Sequence, residues 1–353
     1  TAAERAEAEA EGIVPVVRLM APLEGQTSFH DVVYGTITVE NQTMEDVVLL
    51  KSDGFPTYHL AVVVDDHLME ISHIMRGDEW LPTVPQRVHL YKALGWELPI
   101  YAHLPLILAP TGQGKLSKRH GGVEIREFRR EGYLPEAMVN YLARVGWSYD
   151  DKTEIFQREE LIRYFDLSGI NKSPARFSYE RLEWMNGYYI RQLSARELAG
   201  RLVPFMVQAG FQVTQADLEP VAPLIQERIK TLKEAVDKAA FFFREELAYE
   251  PANLVGKKMS VEQTRLALQR ARETLAALPD FAVETTEPPL RALADELQLK
   301  AGQLFGVLRV ALTGEQVSPP LLETMAVLGR ERSLGRLRRA EELATTLPAT
   351  GGA

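Results

Sequence analysis

The spacing of the apolar residues changes near residue 123, and this change limits the folds that the chain can adopt. Before it, short runs rich in β-branched residues alternate with turn residues, which is typical of strands. The predicted strands cover residues 13–19, 32–39, 47–50, 60–64 and 103–108. A helical pattern at 85–94 lies between the last two. Strands with interposed helices predict a layered α/β unit.

After residue 123, a spacing near 3.6 residues continues to the C-terminus and predicts an all-α region. Pro135 occupies a favourable first position of a helix whose apolar stripe ends at Gly146. The acidic stretch 284–287, with two prolines beside it, predicts an exposed connection. The buried face of another predicted helix consists of Ile229, Leu232, Val236, Ala239 and Phe243.

The composition excludes several kinds of protein. Of the 353 residues, 46% are hydrophobic and 25% are charged, which fits a globular protein of about two or three domains. The chain has no cysteine, so disulfides, thiolate zinc sites and cysteine nucleophiles are impossible. No apolar run approaches the ~18 residues that span a bilayer. Residues 1–12 resemble an Ala/Glu helix rather than a signal peptide, and we expect a cytoplasmic protein with no membrane partner.

A glycine-rich cationic loop follows the last predicted strand, at the edge where open α/β sheets bind ligands. Its sequence at 112–122 is GQGKLSKRHGG, with Lys115, Lys118 and Arg119 among four glycines. The loop is not a P-loop, because Leu116 separates the Gly-Lys pair from the serine. In a chain of net charge -9, the loop is either a mobile phosphate clamp or a solvated surface turn.

Several short segments carry a recognisable pattern when they are taken in order. They are KSDGFPTYHLA at 51–61, VDDH at 64–67, IMRGDEWL at 74–81, KLSKR at 115–119, EGYLPEA at 131–137, NYL at 140–142, GW at 146–147 and WMNG at 184–187. Together they resemble the glutamyl-tRNA synthetases, which are class I aminoacyl-tRNA synthetases. KLSKR is similar to the Lys-Met-Ser-Lys-Ser signature of that class. The family's His-Ile-Gly-His-type ATP signature is absent, so we expect the chain to begin inside the catalytic domain.

The resemblance implies three regions. Residues 1–104 are expected to form the C-terminal part of a Rossmann-like catalytic domain, with a connective segment. Residues 105–190 are expected to form a stem-contact region that carries KLSKR, and residues 191–353 a helical anticodon-binding region. The last region divides at about 191–250 and 251–353. The implied fold class is therefore α/β followed by all-α stem-contact and anticodon-binding domains.

The resemblance also implies an activity. Enzymes of this family ligate L-glutamate to its tRNA with ATP, through a glutamyl-adenylate intermediate, so the implied partners are tRNA(Glu), L-glutamate and ATP. Without the second ATP signature, we expect the chain alone to activate glutamate weakly or not at all. We also expect a monomer. The alternative is a non-catalytic tRNA-binding paralogue or module. A short paralogue that modifies a tRNA base lacks an anticodon-binding region, and residues 191–353 argue against it.

The candidate catalytic residues come from the match to KLSKR. Attack of a carboxylate on the α-phosphate gathers negative charge, which positioned cations stabilise. By resemblance, Lys115, Lys118 and Arg119 supply these cations. With Leu116 and Ser117 they form the implied ATP site.

The candidate glutamate-binding residues are Tyr58 and Arg76, which match positions that contact glutamate in the family. Arginine can donate two parallel hydrogen bonds to a carboxylate, and a tyrosine hydroxyl can donate one more. The alternative for Tyr58 is a buried core tyrosine. The alternative for Arg76 is a salt bridge to Asp78 or Glu79.

One candidate RNA-binding residue lies in the helical half. Arg228 matches a position where bacterial enzymes specific for the glutamate tRNA carry arginine, which can read a base edge or stack on a base. The alternative is an ordinary solvated helix arginine. A second basic run is either a basic patch or a self-neutralising helix face. This run consists of Arg330, Arg332, Arg336, Arg338 and Arg339.

Metal-binding residue types occur together at Asp65, Asp66, His67 and His73. Because neighbouring residues of a strand point to opposite faces, we predict no metal site there and no zinc. Mg²⁺ is expected to arrive with the ATP phosphates instead.

Overall fold

The computed structural model describes residues 1–112, 114–116 and 124–348. The chain divides into two compact units. One consists of Thr1–Val123 and Val139–Tyr179, and the other of Glu124–Met138 and Glu180–Ala353. The first unit is mixed α/β and the second is helical, which confirms the predicted fold class.

All strands that the structure describes lie in the first unit. They are β1 Val17–Arg18, β2 Gln26–Asp31, β3 Gly35–Glu40, β4 Val48–Leu50, β5 His73–Gly77, β6 Ile100–Leu104, β7 Ile107–Leu108 and β8 Ala175–Arg176. The main sheet has the order β3-β2-β6-β5, and the pairs β1-β4 and β7-β8 form two small sheets. β5 and β6 run parallel, and their register places Arg76 beside His103.

The described helices occupy both units. They are α1 Ala2–Ala10, α2 Tyr58–Leu68, α3 Val84–Leu94, α4 Ile125–Glu131, α5 Pro135–Arg144, α6 Arg158–Tyr164, α7 Tyr179–Gln192, α8 Ala195–Gln208, α9 Gln215–Leu218, α10 Ala222–Ile225, α11 Glu234–Phe243, α12 Val261–Ala276, α13 Val283–Glu296, α14 Ala301–Thr313 and α15 Leu321–Thr345. Short 3₁₀ turns occur at Asn41–Thr43, Asp78–Thr83, Leu167–Gly169, Gln226–Arg228 and Pro251–Leu254. Within the described ranges, no helix combines the length and the apolar character needed to cross a membrane.

The predicted strand at 60–64 is wrong, because these residues lie in α2. Val63 belongs to a buried apolar cluster that includes Tyr91 of α3. A short apolar run fits a buried strand and a buried helix face equally well, so its pattern does not separate the two. Asp65 and Asp66 consequently lie on a helix, and the strand geometry used to dismiss a metal site does not apply.

The predicted strand at 32–39 is a turn followed by β3. Asp31, at the end of β2, accepts hydrogen bonds through Oδ1 from the backbone N–H groups of Val33 and Tyr34, both at 2.9 Å. An aspartate that binds its own following backbone stabilises such a turn. The chain therefore reverses at Asp31, and β3 returns antiparallel to β2.

The other strand and helix predictions in this half differ from the structure mainly in the length of the elements. The predicted strand at 13–19 is regular only at Val17–Arg18, and the one at 103–108 is divided between β6 and β7. The strand at 47–50 corresponds to β4, and the helix at 85–94 corresponds to α3.

The predicted connection at 284–287 is also wrong. These residues lie in the first turns of α13, which continues through Pro288 and Pro289. Leu290 and Leu293 of the same helix are buried. Burial of an apolar face contributes more to helix stability in a folded protein than intrinsic propensity does, so the helix forms despite the prolines.

The predicted helix through 229–243 begins only at Glu234, although Ile229 and Leu232 are buried. The segment before α11 instead bonds to the end of α4, where the Leu232 N–H donates to the Gly132 carbonyl at 3.0 Å. Gly132 has a φ of +88°, and a Cβ there would lie 2.6 Å from the Leu232 nitrogen. This close approach therefore requires glycine.

Candidate active site

A tight turn before α2 places Tyr58. Asp53 Oδ1 accepts a hydrogen bond from the Phe55 N–H at 3.0 Å, and the Thr57 hydroxyl donates to the Val48 carbonyl at 2.6 Å. These bonds fix the chain against β4 just before the helix begins. Tyr58 is 54% exposed, so the alternative of a buried core tyrosine is wrong.

Arg76 lies on β5 and makes no ion pair with any described residue. The two carboxylates expected to compete for it bind elsewhere. Asp78 accepts from the Tyr34 hydroxyl at 3.0 Å, and Glu79 pairs with Lys115 at 2.9 Å. The salt-bridge alternative for Arg76 is therefore wrong.

Neutral acceptors hold the guanidinium of Arg76. Nε donates to His103 Nε2 at 3.1 Å, and Nη2 makes long contacts with the Trp80 carbonyl at 3.4 Å and the Thr83 hydroxyl at 3.5 Å. Nη1 is buried and has no hydrogen-bond partner among the described residues. Because an unsatisfied buried N–H is unfavourable and a carboxylate is the strongest partner for a guanidinium, this donor suits a carboxylate ligand.

Tyr58 and Arg76 both lie close to Trp80. The ring centroids of Tyr58 and Trp80 are 5.5 Å apart, and the Arg76 guanidinium carbon is 5.7 Å from the Trp80 ring. Trp80 is 38% exposed, so the cluster is accessible to solvent. The fold thus brings together, from separate segments, the two residues that the resemblance implies for glutamate.

A second buried guanidinium, which the sequence analysis missed, borders this cluster. Arg87 of α3 is 2% exposed, and its guanidinium carbon lies 5.6 Å from the Tyr58 ring. Its Nε and Nη2 have no hydrogen-bond partner within the described ranges. Burial is the main cause that lowers the pKa of Arg76, and the charge of Arg87 lowers it further. Burial of Asp66 raises the pKa of its carboxyl, and the charges of Arg87 and Arg76 partly offset this rise.

Lys115, the first residue of KLSKR, is directed towards the segment that carries Arg76. Its ammonium pairs with Glu79, and the hydrogen bond lowers the pKa of that carboxyl. The two side chains are 60% and 43% exposed, so the pair contributes little stability and the lysine can exchange Glu79 for another anion. The backbone of Leu116 is fixed, because its N–H donates to the Ile107 carbonyl at 2.8 Å.

Arg176 braces the base of this loop, a role that no sequence pattern indicated. Its Nη1 donates to the carbonyls of Ala109 at 2.7 Å and of Gly112 at 2.6 Å. Gly112 has a φ of +77°, which favours glycine. The remaining predicted ATP-binding residues lie outside the described residues; they are Ser117, Lys118 and Arg119.

In the second unit, Arg228 lies in a 3₁₀ turn just after α10. It is exposed, whereas the nearby lysines are paired: Lys230 with Glu183 at 3.3 Å and Lys233 with Glu131 at 2.9 Å. Arg228 makes no ion pair with a described residue. Its guanidinium is therefore available to an external partner.

The C-terminal run of arginines is neither a basic patch nor a self-neutralised face at its centre. Arg336 is 5% exposed, and its guanidinium donates to the carbonyls of Leu312 and Phe241, both at 2.6 Å, and of Arg244 at 2.9 Å. Burial lowers the pKa of Arg336 to about 10. The other members that donate to backbone carbonyls are Arg330 and Arg332.

Comparison with known proteins decides the family. The model of the catalytic domain of class I tRNA synthetases (E and Q) matches residues 1–184, and an anticodon binding domain model matches residues 197–341. A glutamate–tRNA ligase of Dehalococcoides mccartyi is 51% identical over 338 residues, which are 94% of this chain and 69% of that protein. The chain belongs to the glutamate–tRNA ligase family. This confirms the resemblance drawn from the sequence.

Other family members agree in sequence and in fold. The glutamate–tRNA ligase of Chloroflexus aurantiacus is 48% identical over 345 residues, which are 95% of this chain and 69% of that protein. The crystal structure of a glutamate tRNA ligase from Elizabethkingia meningosepticum, in complex with its amino acid, superposes with a TM-score of 0.87 at 32% identity. A glutamate-tRNA synthetase from Elizabethkingia anophelis gives 0.84 at 33% identity. Each superposition covers 97% of this chain and 71% of the other.

Within the glutamate–tRNA ligase family, the two matched models divide the predicted site residues. Tyr58, Arg76 and Lys115 lie inside the catalytic-domain match, and Arg228 lies inside the anticodon-domain match. The amino-acid and phosphate candidates therefore belong to the part of the family that performs chemistry. The RNA candidate belongs to the part named for the anticodon.

Proposed function

We propose that this chain binds L-glutamate and ATP and takes part in the ATP-dependent ligation of L-glutamate to tRNA(Glu), through glutamyl adenylate. One observation carries this proposal. The short segment 76–80 contacts both parts of the site. Its Trp80 lies beside Tyr58 and Arg76, the candidate carboxylate ligands, and its Glu79 pairs with Lys115, the first lysine of KLSKR.

Glutamate binding uses the donors that the protein leaves unsatisfied. Arg76 Nη1 donates to one carboxylate of the amino acid, and the Tyr58 hydroxyl adds a second donor. Arg87 supplies a further positive charge, with its guanidinium over the Tyr58 ring. A site with two guanidinium groups favours glutamate, which has two carboxylates, over glutamine, which has one carboxylate and a neutral side-chain amide.

Activation of glutamate transfers an adenylyl group. A carboxylate oxygen attacks the α-phosphate of ATP, and pyrophosphate leaves. We assign Lys115, Lys118 and Arg119 to the phosphates, with Leu116 and Ser117 completing the ATP site. Lys115 exchanges Glu79 for a phosphate oxygen when ATP binds. The protein then contributes placement and charge to the transition state.

Magnesium is assigned to the nucleotide and not to a site built by the protein. Across residues 1–112, 114–116 and 124–348, no three histidine, aspartate or glutamate side chains are grouped so that they could hold a metal ion. Mg²⁺ is proposed to arrive with the ATP phosphates.

The tRNA contacts are assigned to the rest of the chain. We propose that 105–190 contacts the acceptor stem and that 191–353 binds the anticodon through Arg228, with 1–104 forming the rest of the catalytic domain. The boundaries of the two compact units differ from these proposed regions, because Glu124–Met138, which lies within 105–190, belongs to the helical unit. The free guanidinium of Arg228 is suited to an unstacked anticodon base. We also propose a cytoplasmic monomer, which sedimentation equilibrium of the purified chain tests.

Equilibrium dialysis with radiolabelled L-glutamate tests the amino-acid site without requiring turnover. We expect the wild-type chain to bind glutamate, and Arg76→Gln to bind it at least about tenfold more weakly, because a charge-assisted bond is lost. Arg158→Gln is the matched control, since Arg158 is exposed at the start of α6 in the same unit. Its affinity is expected to equal that of the wild type.

Two outcomes would contradict the proposal. If Arg76→Gln binds glutamate as the wild type does, Arg76 is not a carboxylate ligand. If the wild-type chain binds tRNA(Glu) in a filter assay but binds no glutamate, the chain acts as a tRNA-binding module and not as a ligase.

A further inference from the structure

A buried chain of three side chains ends at Arg76. The Arg76 Nε donates to His103 Nε2 at 3.1 Å, and the His103 Nδ1 lies 2.7 Å from Asp31 Oδ2. The backbone N–H of His103 donates to the same aspartate oxygen at 3.0 Å. Asp31 and His103 are both fully buried, at 0% exposure. The two residues are 72 positions apart in the sequence, so the fold alone brings them together.

This geometry fixes the protonation of the imidazole. Because Nε2 accepts a hydrogen bond from Arg76, it carries no proton, and the proton on Nδ1 is donated to Asp31. Burial lowers the pKa of His103, and the charges of Arg76 and Arg87 lower it further, while the bond to Asp31 opposes them. The ring is therefore neutral, and it presents a lone pair to Arg76.

Asp31 is itself immobilised by the turn that ends β2. Its Oδ1 accepts from the N–H groups of Val33 and Tyr34, while its Oδ2 accepts both bonds from His103. Four N–H donors therefore satisfy one carboxylate and hold it in one orientation. His103, on the neighbouring strand, is fixed by a group that has no freedom to turn.

We propose that Asp31 and His103 are positioning residues for glutamate binding, because Asp31 holds His103 in place and His103 accepts from Arg76 Nε, which aims Nη1 at the substrate carboxylate. The long contacts of Nη2, at 3.4 and 3.5 Å, are too weak to set the orientation by themselves. Nη1 has no partner among the described residues, so the ligand completes the set of hydrogen bonds. The inference rests on the proposed role of Arg76 in binding glutamate.

Two substitutions at one position separate positioning from packing. In His103→Asn, the amide nitrogen replaces Nδ1 and keeps the bond to Asp31, but no acceptor reaches Arg76. In His103→Gln, the amide oxygen replaces Nε2 and keeps the bond to Arg76. Both variants remove the ring that stacks on Tyr101, so both lose similar packing. Circular dichroism melts establish that each variant is folded before binding is measured.

Equilibrium dialysis of L-glutamate is the main measurement. We expect the dissociation constant to rise about tenfold in His103→Asn, the effect of one hydrogen bond to a charged group, and to stay within about threefold of the wild type in His103→Gln. Equal losses in the two variants would show that His103 only packs, and would overturn the inference.

Acid titration supplies an independent readout. The charged and titratable groups that face His103 are Asp31 from β2, Arg76 from β5, Arg87 from α3 and Tyr101 from its own strand. Since the folded-state pKa lies below 6.5, the contact with Arg76 is intact above 6.5 and is lost as the pH falls through the lowered value. Wild-type glutamate affinity should fall in that range, and His103→Gln should not show the same fall. An identical pH dependence in both proteins would contradict the inference.

Arg76→Gln in the same series distinguishes the two levels of failure. If Arg76→Gln has no effect on glutamate affinity, the proposed function of Arg76 is wrong. If Arg76→Gln weakens binding but His103→Asn does not, the proposed function stands and only the positioning role is wrong.

Discussion

Arg76 in the α/β unit is partly buried and Arg336 in the helical unit is buried, and the two side chains use their donors differently. Arg336 donates from both terminal nitrogens to three backbone carbonyls at 2.6 to 2.9 Å, and only its inner Nε has no partner among the described residues. Arg76 has three neutral acceptors at 3.1 to 3.5 Å and one nitrogen with no described partner. Neither guanidinium pairs with a carboxylate of the described chain.

This difference separates a structural arginine from a binding arginine. A guanidinium whose terminal N–H groups are satisfied by carbonyls of different elements cross-links those elements, and its removal leaves several acceptors unpaired. A guanidinium with an unsatisfied terminal nitrogen, which a ligand can reach, already carries part of that cost in the free protein. A ligand recovers it on binding, so such an arginine contributes to affinity more than to stability.

The largest expected effect is on stability at Arg336. Arg336→Met should lower the free energy of unfolding by about 3 kcal/mol, because three buried carbonyls lose their donor. Urea unfolding followed by circular dichroism measures this. Arg338→Met, at an exposed position of the same helix, is the control and should stay close to the wild type. If the two variants unfold alike, Arg336 does not cross-link the unit.

The opposite pattern is expected at Arg76. Arg76→Met should change the unfolding free energy of the free protein by less than about 1 kcal/mol, because it removes a charge that burial already disfavours. Glutamate at one hundred times the wild-type dissociation constant should stabilise the wild type by about 2.7 kcal/mol, and should stabilise a variant that binds tenfold more weakly by no more than about 1.4 kcal/mol. If Arg76→Met lowers the unfolding free energy of the glutamate-free protein as much as Arg336→Met does, Arg76 is a structural arginine like Arg336.

Arg228 extends the comparison to an exposed guanidinium. Arg228→Ala should weaken binding of tRNA(Glu) by about tenfold, the lower end of the range for a base contact, and leave thermal stability unchanged. Filter binding against a tRNA with a substituted anticodon should show no further loss in the variant. Arg196→Ala, also exposed in the helical unit, is the control. Equal effects for both variants would indicate a general electrostatic contact.

The smallest effect is expected for a partly exposed ion pair. Arg201 donates to both carboxylate oxygens of Glu136, at 2.7 and 3.0 Å, and this bond lowers the pKa of Glu136 below 4.5. Its contribution is therefore present above pH 4.5 and lost as the pH falls through the lowered value. Solvent screening limits it to less than about 1 kcal/mol. The stability difference between the wild type and Glu136→Gln should shrink on acidification, and a constant difference would exclude the pair as its source.

The sequence predicted best what depends on local pattern or on a matched motif. Pro135 begins α5 as expected, since proline at a first helical position needs no tertiary contact. Tyr58 and Arg76 were found by resemblance, and the fold places both beside Trp80. Their ligand roles stay predictions. The division into three regions also stays a prediction, because the compact units only describe how the chain packs.

The residues that the sequence analysis missed make contacts with residues that are far away in the sequence. Asp31 and His103 are separated by 72 positions, so no local sequence pattern pairs them. Arg87 lies on a helix where an arginine is ordinarily exposed, yet it is 2% exposed. The false strand at 60–64 has a related cause, because burial and not local spacing decides between helix and strand for a short apolar run.

The bond between Leu232 and Gly132 has a consequence for the proposed RNA contact of Arg228. Arg228 is carried by the same short segment as Leu232, and that segment approaches the end of α4 so closely that only a hydrogen atom fits as the side chain at position 132. A methyl group there would displace the segment and shift the guanidinium relative to the nucleotide it is proposed to read. Discrimination between tRNAs would then depend on a glycine that has no side chain with which to contact RNA, through its effect on the placement of Arg228.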